Sequence, residues 1–413
     1  MGLNLNSAMV ALGSTEKLFP SGFMHVPYVG LMNDATVRLR DNGAMQCIRV
    51  EGVDAWTADT REIDALSDAF AALLGQLSPE YTIYVHKIGR RLKPRDECGQ
   101  IEGFGLASEV DRLWQDHLAR TGLRDKSLTI SVVHHGDSQT RIPFLKKLTG
   151  GRLEKGDEQR IGGLDEVVRF LRAGLGAGKS KILRVDDGAL LGFLNYILTG
   201  SERAIKPGLG VSLIADDIVT ERVTFAEDSI VFEEGNLGKR YADIRALKSY
   251  SEESWATMFD ELVMPCDYVI THSFTPVGAN KAVDAIARQR QVMRSTADVR
   301  RSAAAQLELA HEQAMNRSLT LGEHQASVML IDDDRQRLRE SVSELENVAQ
   351  QSGTTLVADK FMRAAHFYAQ LPGNQASYRV RSSLVTNFNM AGFASLHRSD
   401  LGKTSKELPW EAP

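Results

Sequence analysis

Short runs of alternating apolar and polar residues, separated by stretches of helical period, predict mixed α and β structure in the first third of the chain. Residues 35–50 alternate on both sides of Asp41-Asn42-Gly43 and predict a hairpin, because Asn and Gly accept positive φ in tight turns. Residues 60–77 carry apolar side chains at helical spacing, and Ser78-Pro79 ends that helix. Residues 81–88 alternate again and predict a strand that leads into a basic end.

The middle of the chain continues the same mixture in shorter pieces. A helix is predicted over residues 96–122, organised around Val110, Leu113, Trp114 and Leu118. The pattern then predicts a strand at 127–134, a charged loop or insertion at 136–163, a helix at 164–175, a short strand at 181–185, a helix at 189–198 and further short strands within 200–226.

The second half has the more regular pattern. It predicts strands at 267–275, 323–331 and 354–358, each followed by a helical stretch, at 277–317, 334–351 and 360–370. This order predicts an α+β fold with mixed sheets and packed helices, whose second half is a ferredoxin-like βαβαβα unit with one very long helix. Residues 371–413 show no sustained period but contain aromatics and glycines, so we interpret them as an ordered, irregular linker that leads to an absent domain.

Composition excludes several classes of protein. The chain has 413 residues, of which 43% are hydrophobic and 25% charged, as in ordinary globular proteins. Its net charge of -5 indicates no global attraction to nucleic acid or anionic lipid. Three widely spaced cysteines favour a reducing compartment over a disulfide scaffold or a zinc site. The first residues lack the pattern of a signal peptide, and no run is apolar enough to span a membrane.

Two short motifs resemble parts of a nucleotide site. Residues 173–180 fit a relaxed P-loop that ends in Lys179-Ser180, but a helix precedes them and a strand follows, which reverses the order a P-loop requires. The strand that ends at Asp332 resembles a Walker B strand, but we favour a buried strand followed by a helix with an acidic start. We therefore predict no catalytic, cofactor-binding or metal residue, with Lys179, Ser180 and Asp332 as lookalikes only.

Basic and polar residues at three places suggest contact surfaces. Arg90 and Arg91 begin a basic patch, and a second group of arginines lies on the long helix at positions 288, 290, 294, 300 and 301. Each group fits either a solvated face or a contact with phosphates of lipid or nucleic acid. In the last stretch the residues that fit either local turn capping or a seam with another domain or subunit are Asn374, Arg381, Asn387, His397 and Trp410.

The last stretch also carries a family resemblance. In order along the chain it contains LPGN at 371–374, TNF at 386–388, FASLH at 393–397, GK at 402–403 and PW at 409–410, and this run is similar to the end of the N-terminal region in the CagE/TrbE/VirB family of type IV secretion and conjugation ATPases. FMHVPY at 23–28 and YVITHSFT at 268–275 resemble the same family. The sequence departs from the family at Glu411, where glycine usually follows Pro-Trp.

The resemblance implies a function and a division of the chain. Residues 1–22 would be a mobile lead-in, 23–135 and 164–370 two α+β subdomains, and 371–413 the linker to a RecA-like motor domain beyond Pro413. That domain would bind ATP and magnesium in the full-length protein. This half would dock the motor domain on inner-membrane subunits of the secretion system and would bind its own copies in a hexamer-like assembly. The assembly would lie at the cytoplasmic face of the bacterial inner membrane. Direct nucleic-acid binding by this half is not expected.

Two other interpretations stay open at this point. The chain could be a self-contained P-loop nucleotide hydrolase that uses Lys179, Ser180 and Asp332, which requires strand-loop-helix order around Lys179. It could also be a free-standing adapter of the same family without a motor, which requires a natural stop after Pro413.

Overall fold

A computed structural model describes residues 25–54, 58–91, 105–121, 124–136, 155–176, 179–201, 203–208, 214–233, 238–251, 254, 266–295, 312, 319–374 and 378–398. The strands are β1 (Tyr28–Leu31), β2 (Thr36–Leu39), β3 (Ala44–Val50), β4 (Val53–Asp54), β5 (Tyr81–Arg91), β6 (Arg124–His134), β7 (Ser180–Ile182), β8 (Arg222–Phe225), β9 (Ile230–Glu233), β10 (Lys239–Ser249), β11 (Asp267–Pro276), β12 (Leu321–Asp332), β13 (Thr355–Val357), β14 (Ser383–Thr386) and β15 (His397–Arg398). The α-helices are α1 (Thr60–Gly75), α2 (Leu106–Thr121), α3 (Lys155–Gly174), α4 (Ala189–Thr199), α5 (Ile214–Ile218), α6 (Ala279–Ser295), α7 (Arg335–Gln351), α8 (Arg363–Ala369) and α9 (Asn387–Phe393).

One antiparallel sheet runs through the described fold. Its strands lie in the order β1-β2-β3-β6-β5-β11-β12-β10-β9-β8, and β7, β14 and β13 extend it by pairing with β3, β12 and β10. The pairing of β5 with β11, from Ile83↔Phe274 to Gly89↔Tyr268, joins the strands of the first third to those of the second half. The two predicted subdomains therefore share one sheet, and their boundary stays a prediction.

Helices cover both faces of this sheet and enclose two cores. The core on one face takes apolar residues from α1, α3, α7 and α9, including Phe70, Leu164 and Leu345. The core on the other face takes them from α4, α5 and α8, including Leu194 and Phe367. The predicted α+β class is confirmed, whereas the ferredoxin-like arrangement of the second half stays a prediction.

Many predicted elements form where the pattern places them. The hairpin turns at Asn42, whose φ of 67° is the positive value that the Asp-Asn-Gly sequence favours. The helix α7 begins after Asp334, whose carboxylate accepts hydrogen bonds from the backbone N–H groups of Gln336 and Arg337 at 2.7 and 3.2 Å. An acidic residue at this position satisfies amide groups that the first turn of a helix leaves unpaired.

Several parts of the fold differ from the sequence prediction. Residues 155–163 are helical rather than a loop, because α3 begins at Lys155. The prediction missed β10, where charged groups interrupt the alternation: Arg240 donates to Glu221 at 2.8 Å and Arg245 to Glu346 at 2.5 Å. The last stretch is regular over 383–393, where β14 leads directly into α9. The lead-in 1–22, the residues 137–154 and the final residues 399–413 lie outside the described residues.

Candidate docking surface

The helix α2, between β5 and β6, presents a row of large apolar side chains to solvent. Leu106 is 82% exposed, Val110 56%, Leu113 54% and Trp114 58%. Their spacing of four, seven and eight residues places all of them on one face of the helix. These four side chains form what we call the α2 stripe.

This helix has little support from the rest of the described fold. None of the side chains that the structure describes in α2 is buried. A surface helix normally buries its apolar stripe, and an isolated helix of 16 residues is marginally stable in water. The α2 stripe is therefore an unsatisfied contact surface on a helix that would gain stability from a partner.

Charged residues flank the α2 stripe and are mainly acidic. Arg112 donates to Glu109 at 2.6 Å and to Asp116 at 3.2 Å, and this hydrogen bonding lowers the pKa of Glu109. Asp111 adds a third carboxylate. His117 stacks on Trp114 with ring centroids 5.5 Å apart. Membrane-surface helices carry mostly Lys and Arg beside their apolar face, so this helix suits a protein partner with basic groups better than an anionic lipid surface.

The apolar positions of this helix follow from the sequence pattern, but their exposure does not. A stripe at helical spacing looks the same in a sequence whether it packs on the chain's own sheet or on another molecule. The signal available in the sequence was the acidic residues beside the stripe, but they also occur beside ordinary core-facing helices.

Two of the residues predicted to form a seam in the last stretch lie inside the fold. The side-chain amide of Asn374 donates to the backbone oxygens of His25 at 2.8 Å and Tyr368 at 2.9 Å. That of Asn387 donates to the oxygen of Ala71 in α1 at 2.9 Å. The hydrogen bonds to His25 and Ala71 fasten the end of the described chain to its beginning, across separations of 349 and 316 residues.

Of the other seam candidates, His397 and Arg381 make contacts within the chain, and Trp410 is not among the described residues. His397 is buried in β15, which pairs with β4 in parallel. Arg381 donates to Asp359 at 2.8 Å, and this hydrogen bond is the first cause that lowers the pKa of Asp359 to about 2. Trp410 lies outside the described residues. A further role of these residues at a seam stays a prediction.

The basic end of β5 is balanced by acidic side chains. Arg90 forms an ion pair with Asp125 on β6. Arg91 contacts Asp267 at 3.5 Å and Asp332 at 3.1 Å. The continuation of this patch at Lys93 and Arg95 lies outside the described residues, as do Arg300 and Arg301 of the second group.

The two motifs that resemble a nucleotide site do not meet. Lys179 and Ser180 follow the helix α3 and enter the strand β7, so the order is helix-loop-strand and not the order of a P-loop. Five strand-to-strand steps separate β7 from β12, which carries Asp332. At about 4.8 Å per step this is roughly 24 Å along the sheet, so one magnesium-nucleotide cannot contact both.

Asp332 is held in an internal ion pair. Its carboxylate is fully buried and accepts hydrogen bonds from Arg337 at 2.7 to 3.0 Å and from the backbone N–H of Asp334 at 2.8 Å. Burial alone would raise the pKa of this carboxyl group, but the Arg337 hydrogen bonds and the charge of Arg91 bring it to about 2. The acidic end of β12 thus anchors the start of α7. Among the described residues, no group of three or more His, Cys, Asp or Glu is placed to hold a metal ion.

Comparison with known proteins agrees with the resemblance in the last stretch. Residues 180–381 match the family described as "CagE, TrbE, VirB family, component of type IV transporter system". Residues 35–141 match "Type IV secretion system ATPase VirB4/TrbE, N-terminal domain". The β5–β11 pairing joins these two matched regions in one sheet. In the part of the chain that the structure describes, every helix is too short or too polar to cross a bilayer.

Curated relatives match nearly the whole chain. The type IV secretion system protein virB4 of Bartonella quintana is 26% identical over 92% of this chain and 49% of its own length. A PtlC homolog of Bordetella bronchiseptica is 34% identical over 98% of this chain and 50% of its own. The virB4 protein of Agrobacterium tumefaciens is 22% identical over 96% and 50%. The chain spans about half the length of the relatives it matches, contains their N-terminal domain, and belongs to the CagE/TrbE/VirB family of type IV secretion components.

Proposed function

We propose that this chain is the N-terminal docking and oligomerisation region of the ATPase that energises type IV secretion. The observation that carries the proposal is the exposed α2 stripe, on a helix whose described side chains are all at least partly exposed. In this proposal the full-length protein hydrolyses ATP with magnesium in a motor domain outside this half. The described residues supply contacts and no catalytic group.

The partner proposed for the α2 stripe is an amphipathic helix with basic flanks, from an inner-membrane subunit of the same secretion system. Four apolar side chains form a surface too small for a standard interface of about 800 Å² per partner. They suit contact with a single partner helix, which binds through apolar side chains at helical spacing. Segments next to the membrane on its cytoplasmic side carry an excess of Lys and Arg. Such a segment would complement Glu109, Asp111 and Asp116.

Location and assembly follow from the same proposal. A chain docked in this way lies peripherally at the cytoplasmic face of the bacterial inner membrane, and its own copies assemble around the motor domains in a hexamer-like ring. The ferredoxin-like arrangement of the second half is also proposed: β11, α6, β12, α7 and β13 follow one another in the order that it requires.

Co-purification of the full-length protein with the inner-membrane subunits of its secretion system tests the docking role. Trp114→Ala and Leu113→Asp should each weaken the association on the order of tenfold or more, because central aromatic and aliphatic anchors dominate such interfaces. Phe361→Ala is the matched control, since Phe361 is 76% exposed elsewhere and should leave the association unchanged. Equal recovery of subunits with all three variants would contradict the proposal.

A further inference from the structure

The sheet has the same order of strands on both sides of its centre. From the β5–β11 pairing outward, the strands are β5, β6, β3, β2 and β1 on one side, and β11, β12, β10, β9 and β8 on the other. Every pairing in both series is antiparallel. The short strands β7 and β13 pair with β3 and β10, which hold the same place in the two series. The two halves of the described sheet therefore share one topology.

The helices that connect these strands also correspond. The helix α2 lies between β5 and β6, and α6 lies between β11 and β12. The helices α3 and α7 lead to β7 and β13, and both pack in the core on one face of the sheet, which we call the first core. Their buried residues have the same spacing of four, three and four positions: Leu164, Val168, Leu171 and Leu175 in and after α3, and Leu338, Val342, Leu345 and Ala349 in α7. After β7 and β13, α4 and α8 pack in the second core, on the opposite face.

The strand register fixes an axis that relates the two halves. His86 and Thr271 lie directly opposite each other in the pairing of β5 with β11. A twofold axis perpendicular to the sheet at this pair exchanges the two antiparallel strands and keeps each face of the sheet on its own side. It makes Val85 equivalent to Ile270, since each precedes a residue of the central pair. Both of these side chains are buried in the first core.

The same axis relates residues in the neighbouring strands. Val85 pairs with Ile130 on β6, and Ile270 pairs with Val328 on β12. When the pairings are followed outward in this way, equivalent residues face the same core. In the first core they are Leu128 and Ala326, Ile130 and Val328, and Val132 and Leu330. In the second core they are Val133 and Ile331, Met45 and Ala242, Cys47 and Ile244, Val37 and Ile230, and Leu39 and Phe232. A slip of one residue in any of these strands would turn its side chains to the other face, so the agreement extends to the register.

We infer that residues 28–199 and 222–369 are two copies of one structural repeat, related by a local twofold axis through the pair of His86 and Thr271. The β5–β11 pairing is then a contact between equivalent strands, of the kind that two identical subunits make across a twofold axis. The last described stretch follows the second repeat and joins both, because β14 pairs with β12 and Asn387 donates to Ala71 in α1. The duplicated architecture does not depend on the docking proposal.

The equivalent helices α2 and α6 use their apolar residues differently. In α6, Ala282 and Ile286 are buried against Leu321 at the start of β12. In α2, Leu113 and Trp114 are more than half exposed. The exposure of the α2 stripe is thus a property of the first repeat and not of the shared fold, as expected for a helix that has acquired a partner of its own.

Four exposed positions allow a test of the twofold relation on the 413-residue chain. Glu51 follows β3, and Lys248 has the equivalent place in β10. Glu166 and Glu340 each come two residues after the first of the matched buried residues in α3 and α7. Cysteines introduced in pairs at these positions can carry nitroxide labels, whose separation is measured by double electron–electron resonance. The two native cysteines that the structure describes are buried, and Cys98→Ser removes the third.

The twofold axis predicts two equalities. The distance between labels at positions 51 and 166 should equal that between 248 and 340, and the distance between 51 and 340 should equal that between 248 and 166, within the widths of the distributions. Position 361 is the control: it follows β13, which pairs with β10, so it should lie closer to 248 than to 51. Unequal distances in either of the two comparisons, in variants that keep the circular dichroism spectrum of the unmodified protein, would overturn the inference.

Discussion

Single polar side chains join the end of the described chain to its beginning. Asn387 is 3% exposed and links three segments: its side-chain amide donates to Ala71 in α1, its side-chain oxygen accepts from the N–H of Thr320 at 3.2 Å, and its own N–H donates to the oxygen of Thr320 at 2.9 Å. A small amide that satisfies buried backbone groups from distant segments fixes how those segments pack.

Asn387→Ala should destabilise the fold by about 1–3 kcal/mol, because it leaves the Ala71 oxygen and the Thr320 N–H without their buried partner. Phe388→Ala at the next position is the control: Phe388 is 51% exposed, and the change should cost within about 0.5 kcal/mol. Urea unfolding of the two variants measures the difference. An equal and small effect of both changes would show that the Asn387 contacts do not hold α9 on α1.

At the residue scale, the sequence pattern identifies Asn374, Asn387 and His397 as candidate caps or seam residues but does not reveal their long-range contacts. All three are buried in such contacts, and a further role at a seam stays a prediction. A polar residue in a loop carries no sign of a partner that lies hundreds of residues away. The structural role of Asp332 was easier to predict, because an acidic residue between a strand and a helix commonly stabilises the helix start.

At the scale of elements, α2 and α7 are helices of nearly equal length with opposite use of their apolar residues. Leu345 in α7 is fully buried in the core, whereas Leu113 in α2 is 54% exposed. Leu345 therefore contributes to the stability of the fold, whereas Leu113 is available for binding.

Leu345→Ala should lower the free energy of unfolding by about 2–5 kcal/mol through lost burial and a residual cavity. Leu113→Ala should change it by less than about 0.5 kcal/mol, because more than half of this residue stays exposed in the folded chain. Chemical unfolding of the two variants provides the measurement. A large effect of Leu113→Ala would mean that the α2 stripe is packed within the chain and does not await a partner.

Most elements with sustained period were predictable, and short or charge-rich ones were not. The hairpin at Asn42, the helix α1 and the strands β11 and β12 follow from alternation and helical spacing alone. The strand β10 carries Arg240 and Arg245, which form ion pairs with Glu221 and Glu346. These charged residues break the apolar alternation by which a strand inside the sheet is recognised in a sequence. The elements β14 and α9 are too short, at four and seven residues, for a period to emerge.

At the scale of the whole molecule, neutral histidines in the interior set the acid stability. Burial lowers the pKa of His25, His86 and His135 to about 4 and that of His324 to about 3. Burial also lowers the pKa of His272 well below its usual value. A ring nitrogen of His272 lies 3.1 Å from a ring nitrogen of His324.

Stability should therefore fall as the pH drops from 6.5 toward 4, and should be fully present above 6.5. In this window the unfolded chain binds protons that the folded chain excludes, and each such histidine contributes up to about 1.4 kcal/mol per pH unit. Ion-paired Asp228, Asp332 and Asp359, with pKa values of about 2, add a second loss below about pH 4. Urea unfolding at pH 7.5, 6 and 5 measures the slope, and a constant free energy of unfolding between pH 7.5 and 5 would contradict the buried neutral state.

In the part of the chain that the structure describes, helices pack on both faces of one sheet and α2 exposes its apolar stripe, so the proposed role depends on what covers that helix in the cell. Site-specific photocrosslinking from position 113 of the full-length protein, in cells that carry the complete secretion system, tests this most directly. We predict a crosslink from position 113 to an inner-membrane subunit with a basic, amphipathic cytoplasmic helix, and none to that subunit from the exposed control position 361. Absence of that crosslink from position 113 while secretion proceeds, or equal crosslinking from both positions, would contradict the docking function.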